Sequence, residues 1–155
     1  MSTLVIGTLL GLIPDVPDWE GNLFAAEYDP AMLGVALLES GAETVIYAPP
    51  RDVLVAARTA YALGVAAADV GIPRIILASS MELLAGYPRN WRVDARWKPM
   101  ADRYPNHTLP LWLAELSLRE IARATNLRVS VVRLPYPPTP ESAEVLLQAT
   151  KDTER

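Results

Sequence analysis

The sequence predicts an α/β fold, a three-layer sandwich with a reduced, mainly parallel sheet. Short apolar runs rich in β-branched residues alternate with longer helix-forming segments, and this alternation favours parallel strands joined by crossover helices. The clearest strand is Ile75-Ile76-Leu77-Ala78, which Gly71-Ile72-Pro73 precedes and Ser79-Ser80 follow. A run of this kind is typical of a fully buried parallel strand whose carboxyl end opens into a site.

Composition narrows the class of protein. The chain has 155 residues, a net charge of −4, no cysteine and one histidine. Its length is typical of one domain, and we expect a single domain over residues 1–155. The acidic balance argues against a nucleic-acid partner, and the missing thiols favour the cytoplasm. The apolar N-terminus has no basic residues before it and is too short to cross a bilayer, so we expect no membrane span.

The first half of the chain predicts three strands and two helices. Asp29-Pro30 supplies an N-cap and a first-turn proline, and Ser40-Gly41 ends the helix that follows. A long alanine-rich helix ends at Gly71, a residue suited to a helix C-terminus. We expect strands over 3–7, 23–28 and 44–48, and helices over 30–40 and 51–70.

The second half predicts two strands separated by a long loop. The loop from Met81 to Asn106 has a length that is usually functional in a compact domain. Thr108 is placed to cap the helix after it. We expect strands over 75–78 and 127–134, and helices over 109–126 and 141–150.

Several strings in this order resemble the extended short-chain dehydrogenase/reductases, the NAD-dependent epimerase/dehydratase group. The resemblance covers about residues 24–135. It rests on the Asp29 helix start, on the strand ending in Ser79-Ser80, and on Glu115-x-x-x-Arg119 followed by the strand through Arg133. It implies a Rossmann-like fold and places the catalytic hydroxyl of that group at Ser80.

The same resemblance argues against hydride transfer. The group's glycine-rich turn cradles the dinucleotide pyrophosphate, but here only Gly7 and Gly11 stand near that place. Aligned on Glu115 and Arg133, the group's tyrosine falls at His107 and its lysine at Leu111. The chain also ends about twenty residues after Arg133, so we expect it to lack the C-terminal substrate domain and to bind no cofactor. With one histidine and no cysteine, we expect no metal.

Two residues are candidate catalytic groups. Ser80 at the strand end and His107, in the slot of the missing tyrosine, could handle protons at neutral pH. The alternatives are that Ser79 and Ser80 cap the loop backbone and that His107 is an exposed loop residue. If the pair is functional, the chain is a cofactor-independent isomerase, cyclase or lyase.

The long loop predicts ligand binding. Its basic and aromatic side chains could hold a small anionic or aromatic ligand by charge and cation–π contact. The alternative is that the two tryptophans cover the open strand ends. The candidate substrate-binding residues are Arg89, Trp91, Arg92, Arg96 and Trp97.

The apolar arc of the helix over 109–126 is wider than one core contact requires. Beside the small-residue helix over 51–70, it predicts a second apolar interface. In the resembled group these helices commonly form a four-helix dimer bundle. We therefore expect a homodimer, or a heteromer with a related chain, in which this protein is a non-redox binding or structural subunit. The alternative is a monomer whose loops cover the arc.

Overall fold

The computed structural model describes residues 2–7, 29–94, 96–100, 106–135 and 139–152. Four strands and four helices lie within them, and two short 3-10 turns at Met81–Leu84 and Asn106–Thr108 frame the long loop. The elements are β1 (Thr3–Gly7), α1 (Pro30–Ser40), β2 (Thr44–Ala48), α2 (Val53–Val70), β3 (Arg74–Ser80), α3 (Leu109–Ala124), β4 (Arg128–Leu134) and α4 (Pro140–Lys151). The strand predicted over 23–28 lies outside the described residues.

The four strands form one parallel sheet in the order β1-β2-β3-β4. Ile46 of β2 pairs in register with Val5 of β1 and with Ile76 of β3. Every residue of β2 and β3 is buried, as expected for the central strands of a parallel sheet covered on both faces. The prediction of an α/β fold with a mainly parallel sheet is confirmed.

Side chains alternate between two apolar clusters. Val45, Ile75 and Leu77 point into the layer of α1, α2 and α3, where they meet residues such as Leu63 and Leu118. The intervening residues meet α4 on the opposite face; this second cluster comprises Val5, Ile46, Ala48, Ile76, Ala78, Leu134, Ala143 and Leu146. Helices on both faces of the sheet confirm the three-layer, Rossmann-like arrangement.

Local signals set most helix ends. The Asp29 side chain accepts a hydrogen bond from the Ala31 amide at 2.9 Å, and Gly41 ends α1 with φ at 60°. α2 begins at Val53 rather than at the predicted residue 51, because Asp52 is its N-cap and accepts from the Val55 amide at 2.8 Å. Thr108 makes no side-chain cap bond to α3, which corrects the prediction. Its backbone already has helical angles in the preceding 3-10 turn.

Helix α2 lies between α1 and α3 and contacts α3 closely. A Cβ on Gly64 would stand 2.5 Å from Cδ1 of Ile121, so the glycine allows this approach.

Within the described residues, α2 is the one helix whose length and mean hydropathy of 1.5 would allow it to cross a membrane. Core helices pass the same test, and much of α2 is buried between its neighbours. The cytoplasmic location stays a prediction.

Candidate functional site

The carboxyl end of β3 presents two serines to opposite sides of the sheet. Ser79 Oγ donates to Oε1 of Glu115 at 2.7 Å, on the α3 side. Ser80 Oγ accepts from the Glu82 amide at 3.1 Å and donates to Oε2 of Glu82 at 3.4 Å. Because Ser80 is the N-cap of the first 3-10 turn, its hydroxyl has the backbone-capping role expected of strand-end serines.

Glu82 joins the two predicted catalytic residues. Its Oε1 lies 3.1 Å from Nε2 of His107, and its Oε2 accepts from Ser80. The His107 carbonyl accepts from Arg51 Nη1 at 3.2 Å, which ties the second 3-10 turn to the start of α2. Ser80 and His107 therefore meet at the carboxylate of one residue that the sequence analysis missed. The available signal was the position of Glu82, two residues beyond the predicted site serine.

The order of these groups limits their chemistry. In a serine nucleophile site the imidazole touches the hydroxyl and the carboxylate orients the imidazole. Here the carboxylate of Glu82 lies between Ser80 and His107. The arrangement offers a partly exposed carboxylate–imidazole pair for proton transfer. The Ser80 hydroxyl donates to the Glu82 carboxylate instead of to the imidazole.

A second polar centre surrounds Glu115, which is fully buried on α3. Arg133 of β4 donates to it twice, from Nε to Oε1 at 3.2 Å and from Nη2 to Oε2 at 2.8 Å. Arg119, one turn along α3, contacts Oε2 at 3.4 Å, and Ser79 completes the set. Glu115 and Arg133, the residues on which the sequence was aligned, are thus bonded partners. Together with Ser79, this pair connects α3 with β3 and β4.

The long loop is held together by aromatic contacts. The Tyr87 and Trp97 rings meet edge to face at 4.7 Å, and Trp91 meets Trp97 at 5.7 Å. The Tyr87 hydroxyl donates to the Lys98 carbonyl at 2.6 Å. The two tryptophans predicted to contact a ligand therefore contact each other. The predicted arginines Arg89, Arg92 and Arg96 are all exposed.

A half-open cavity of about 240 Å³ lies beside this loop at the β4 edge of the sheet. The loop contributes Val93 and Asp94 to it, and the guanidinium groups come from α3 and β4 instead of from the loop. We call it the edge cavity; its lining residues are Met81, Leu84, Val93, Asp94, Arg119, Val131 and Arg133. Within the described part of the chain, no group of three or more acidic, histidine or cysteine side chains is placed to hold a metal ion.

A scan against protein-family models finds no match, and a search of curated proteins finds no relative. Solved structures do resemble the chain. The UDP-glucose 4-epimerase of Thermus thermophilus, in complex with NAD, has a TM-score of 0.67 at 18% identity, covering 96% of this chain and 61% of that one. The Brucella ovis UDP-glucose 4-epimerase with NAD has a TM-score of 0.65 at 14% identity, covering 86% and 52%.

The Bordetella bronchiseptica enzyme WbmH, in complex with NAD+, is a third similar structure, with a TM-score of 0.64 at 13% identity, covering 86% of this chain and 55% of that one. The resemblance to the NAD-dependent epimerase/dehydratase group is confirmed at the level of the fold. The chain spans between 52 and 61% of the length of these three structures.

Proposed function

We propose that this chain is a non-redox, dimeric binding or structural subunit with the fold of the epimerase/dehydratase enzymes. The observation that carries the proposal is an apolar surface on two adjacent helices. α2 exposes Leu54 and Tyr61, and α3 exposes Leu109 and Leu116; we call these four residues the α2/α3 face. Tyr61 is 58% exposed and Leu116 is 37% exposed.

The exposed residues of each helix are aligned along it. Leu54 and Tyr61 are seven residues apart, as are Leu109 and Leu116, so each pair lies on one side of its helix. Both helices belong to the same layer and touch at Gly64 and Ile121. Adjacent exposed apolar side chains of this size are typical of protein–protein interfaces. A second copy would bury the same face on both subunits in a two-fold dimer.

The non-redox part of the proposal is supported by Leu111. The resemblance places there the lysine that serves the dinucleotide and the catalytic tyrosine. In this chain the position holds an apolar side chain that is 5% exposed, and it can donate no hydrogen bond to a ribose. The residues between β1 and α1 that would hold the pyrophosphate lie outside the described residues, so the missing glycine-rich turn stays a prediction.

Light scattering tests the dimer. We expect a dimer for the unmodified chain and a monomer for Leu116→Glu, because the substitution places two carboxylates in an apolar interface. Val35→Glu is the control, since Val35 is an exposed apolar residue on α1, outside the α2/α3 face, and its substitution should leave the dimer intact. A monomeric unmodified chain, or a dimer that only Val35→Glu dissociates, would reject the α2/α3 face as the homodimer interface. If addition of a related chain then gave a complex sensitive to Leu116→Glu, the heteromer would replace the homodimer.

A second function, a cofactor-independent isomerase, cyclase or lyase, is favoured by the Glu82 bridge. The bridge places a carboxylate and an imidazole together at the carboxyl end of β3, where open α/β sheets bind ligands. His107 would serve as acid or base, with Ser80 and Glu82 positioning the reacting group. Arg89, Arg92 or Arg96 would hold an anionic substrate above it.

The test is turnover of a metabolite mixture followed by mass spectrometry. General acid–base catalysis contributes about 10²- to 10⁴-fold, so His107→Ala and Glu82→Gln should each abolish any conversion at that scale. Glu144→Gln, on the surface of α4, is the control. Conversion that survives both site substitutions would reject this function.

A further inference from the structure

We propose that the edge cavity binds a small monocarboxylate with a branched apolar body. The cavity lies between the long loop, α3 and β4. It does not depend on the proposed dimer, because its lining residues are separate from the α2/α3 face. It is also separate from the contacts among Ser80, Glu82 and His107.

The inner wall of the cavity presents two guanidinium groups. Arg119 and Arg133 both reach the cavity, and they share one buried carboxylate, that of Glu115. Two positive charges against one negative charge leave this inner wall with a net charge of +1, and the Asp94 carboxylate on the loop side brings the whole lining to zero. A carboxylate bound against the inner wall would accept charge-assisted hydrogen bonds from the two guanidinium groups, and such bonds are stronger than those between neutral groups.

Both guanidinium groups keep donors for a ligand. Arg133 donates to Glu115 from Nε and Nη2, and its Nη1 takes no part in these two hydrogen bonds. Arg119 makes a single contact with Glu115 at 3.4 Å, and its side chain is 41% exposed. Since a guanidinium has five N–H donors in a planar fork, the geometry suits the two oxygens of a carboxylate.

The rest of the lining is apolar and small. Met81 and Leu84 come from the first 3-10 turn, Val93 from the loop and Val131 from β4. Four aliphatic side chains around one charged wall match a ligand with a branched hydrocarbon end. The volume of about 240 Å³ is below the range usual for drug-sized ligands, about 300–1,000 Å³, which points to a compact organic acid.

Asp94 excludes a dianion. It lines the same cavity, and its Oδ1 is held by the Arg96 amide at 2.8 Å. A second negative charge on the ligand would exceed the net charge of the inner wall and face this carboxylate. The site therefore favours a singly charged carboxylate over the dianionic form of phosphate.

The test is a methyl-detected NMR titration of the full chain with 4-methylpentanoate, its neutral amide and inorganic phosphate. We expect the carboxylate to give saturable shifts of the Leu84, Val93 and Val131 methyl groups. The amide should bind about 10- to 100-fold more weakly, because a hydrogen bond to a charged group is lost. Phosphate should displace the carboxylate poorly.

Arg119→Gln removes one guanidinium and keeps the Arg133–Glu115 pair, so the fold should persist. We expect it to weaken carboxylate binding by about 10- to 100-fold. Arg123→Gln is the matched control, because Arg123 lies one turn further along α3, pairs with Glu120 and does not line the cavity. It should change the affinity by less than about threefold, because the substitution lies on the surface away from the cavity.

Each of the following results would overturn the proposal: equal affinity for the acid and the amide, equal loss from Arg119→Gln and Arg123→Gln, shifts confined to methyl groups outside the cavity, or no saturable shift. Equal binding of phosphate would reduce the cavity to an unselective anion site and also reject it. Light scattering of the same samples measures the oligomeric state. Failure of ligand binding can therefore be distinguished from failure of the proposed dimer.

Discussion

At the scale of single residues, Glu115 is the most deeply buried charged residue in the described part of the chain. Its carboxylate is fully buried, and Ser79, Arg133 and Arg119 all contact it. A buried ion needs several partners because water no longer solvates it. The contacts also connect three elements, so the residue fixes where α3 sits relative to β3 and β4.

We predict that Glu115→Ala lowers the free energy of unfolding by about 3–5 kcal/mol, because it leaves the largely buried Arg133 without its counter-charge. Chemical denaturation measures the change. Glu120→Ala is the control: it removes an exposed carboxylate from the same helix and should change stability by less than about 1 kcal/mol. Equal effects of the two substitutions would contradict the structural role assigned to Glu115.

Residue-level prediction from the sequence was partial for a physical reason. Ser80 follows a recognisable buried strand, and His107 is the single histidine, so both could be singled out. Their contact through Glu82 depends on the path of a loop of more than twenty residues between them. No local propensity encodes that path. The sequence likewise did not single out Arg119 and Arg133 as a binding site, because they lie on two different elements. The arginines of the loop, in contrast, are grouped in the sequence.

At the scale of elements, the carboxyl ends of β1 and β2 meet at a position that requires glycine. Gly7 has φ at +110°, and a Cβ there would stand 1.9 Å from the Ala48 carbonyl oxygen. Only glycine satisfies both the backbone angle and the contact.

Gly7→Ala should therefore destabilise the chain more than Gly41→Ala. Gly41 also has a positive φ, but a Cβ there meets no atom within 4 Å, so its substitution costs about 1–2 kcal/mol of backbone strain alone. Gly7→Ala adds a backbone clash, for which about 1–3 kcal/mol is usual in overpacked sites. Thermal denaturation of the two variants compares these costs, and a Gly7→Ala variant as stable as Gly41→Ala would contradict the close pairing.

The first turn of α4 predicts a pH effect. Two hydrogen bonds lower the pKa of Glu141 below its usual value of 4.5. The larger effect comes from the Thr139 side chain and the smaller one from the backbone of Glu141. A lowered pKa in the folded state adds stability that is present above the unfolded-state pKa and is lost as the pH falls through the folded-state pKa.

We expect Glu141→Gln to remove this small loss of stability in acid. Its free energy of unfolding should differ from that of the unmodified chain above the unfolded-state pKa of Glu141 and should equal it at low pH. Urea denaturation across the acid range measures it. Glu144→Gln serves as the control. An identical pH profile for the unmodified chain and Glu141→Gln would contradict the lowered pKa.

Element boundaries were largely predictable because capping is local. Asp29, Gly41 and Gly71 mark helix ends by their own side chain or backbone angle. The prediction that Thr108 caps α3 was wrong because the chain already forms a 3-10 turn before α3 begins. That turn also brings His107 to Glu82, a contact between residues 25 positions apart.

At the scale of the whole molecule, the four described strands follow one another across the sheet in chain order. Doubly wound sheets bind ligands where the strand order reverses, and no reversal occurs among these strands. The described residues form two surfaces of note, the α2/α3 face and the edge cavity, and α1 exposes a further apolar set, Met32, Val35 and Leu38. The alternation of strands and helices in the sequence predicted the sheet, but these surfaces arise only when separate helices and strands are packed together.

We propose that this chain uses an epimerase-like fold without a dinucleotide, and calorimetric titration with NAD+, NADH, NADP+ and NADPH tests this proposal. The Thermus thermophilus epimerase, whose structure contains NAD, would be titrated in parallel to verify the measurement. Since Leu111 replaces the expected lysine by a buried apolar side chain, we predict no saturable heat for any of the four dinucleotides. Saturable binding in the micromolar range would contradict the account.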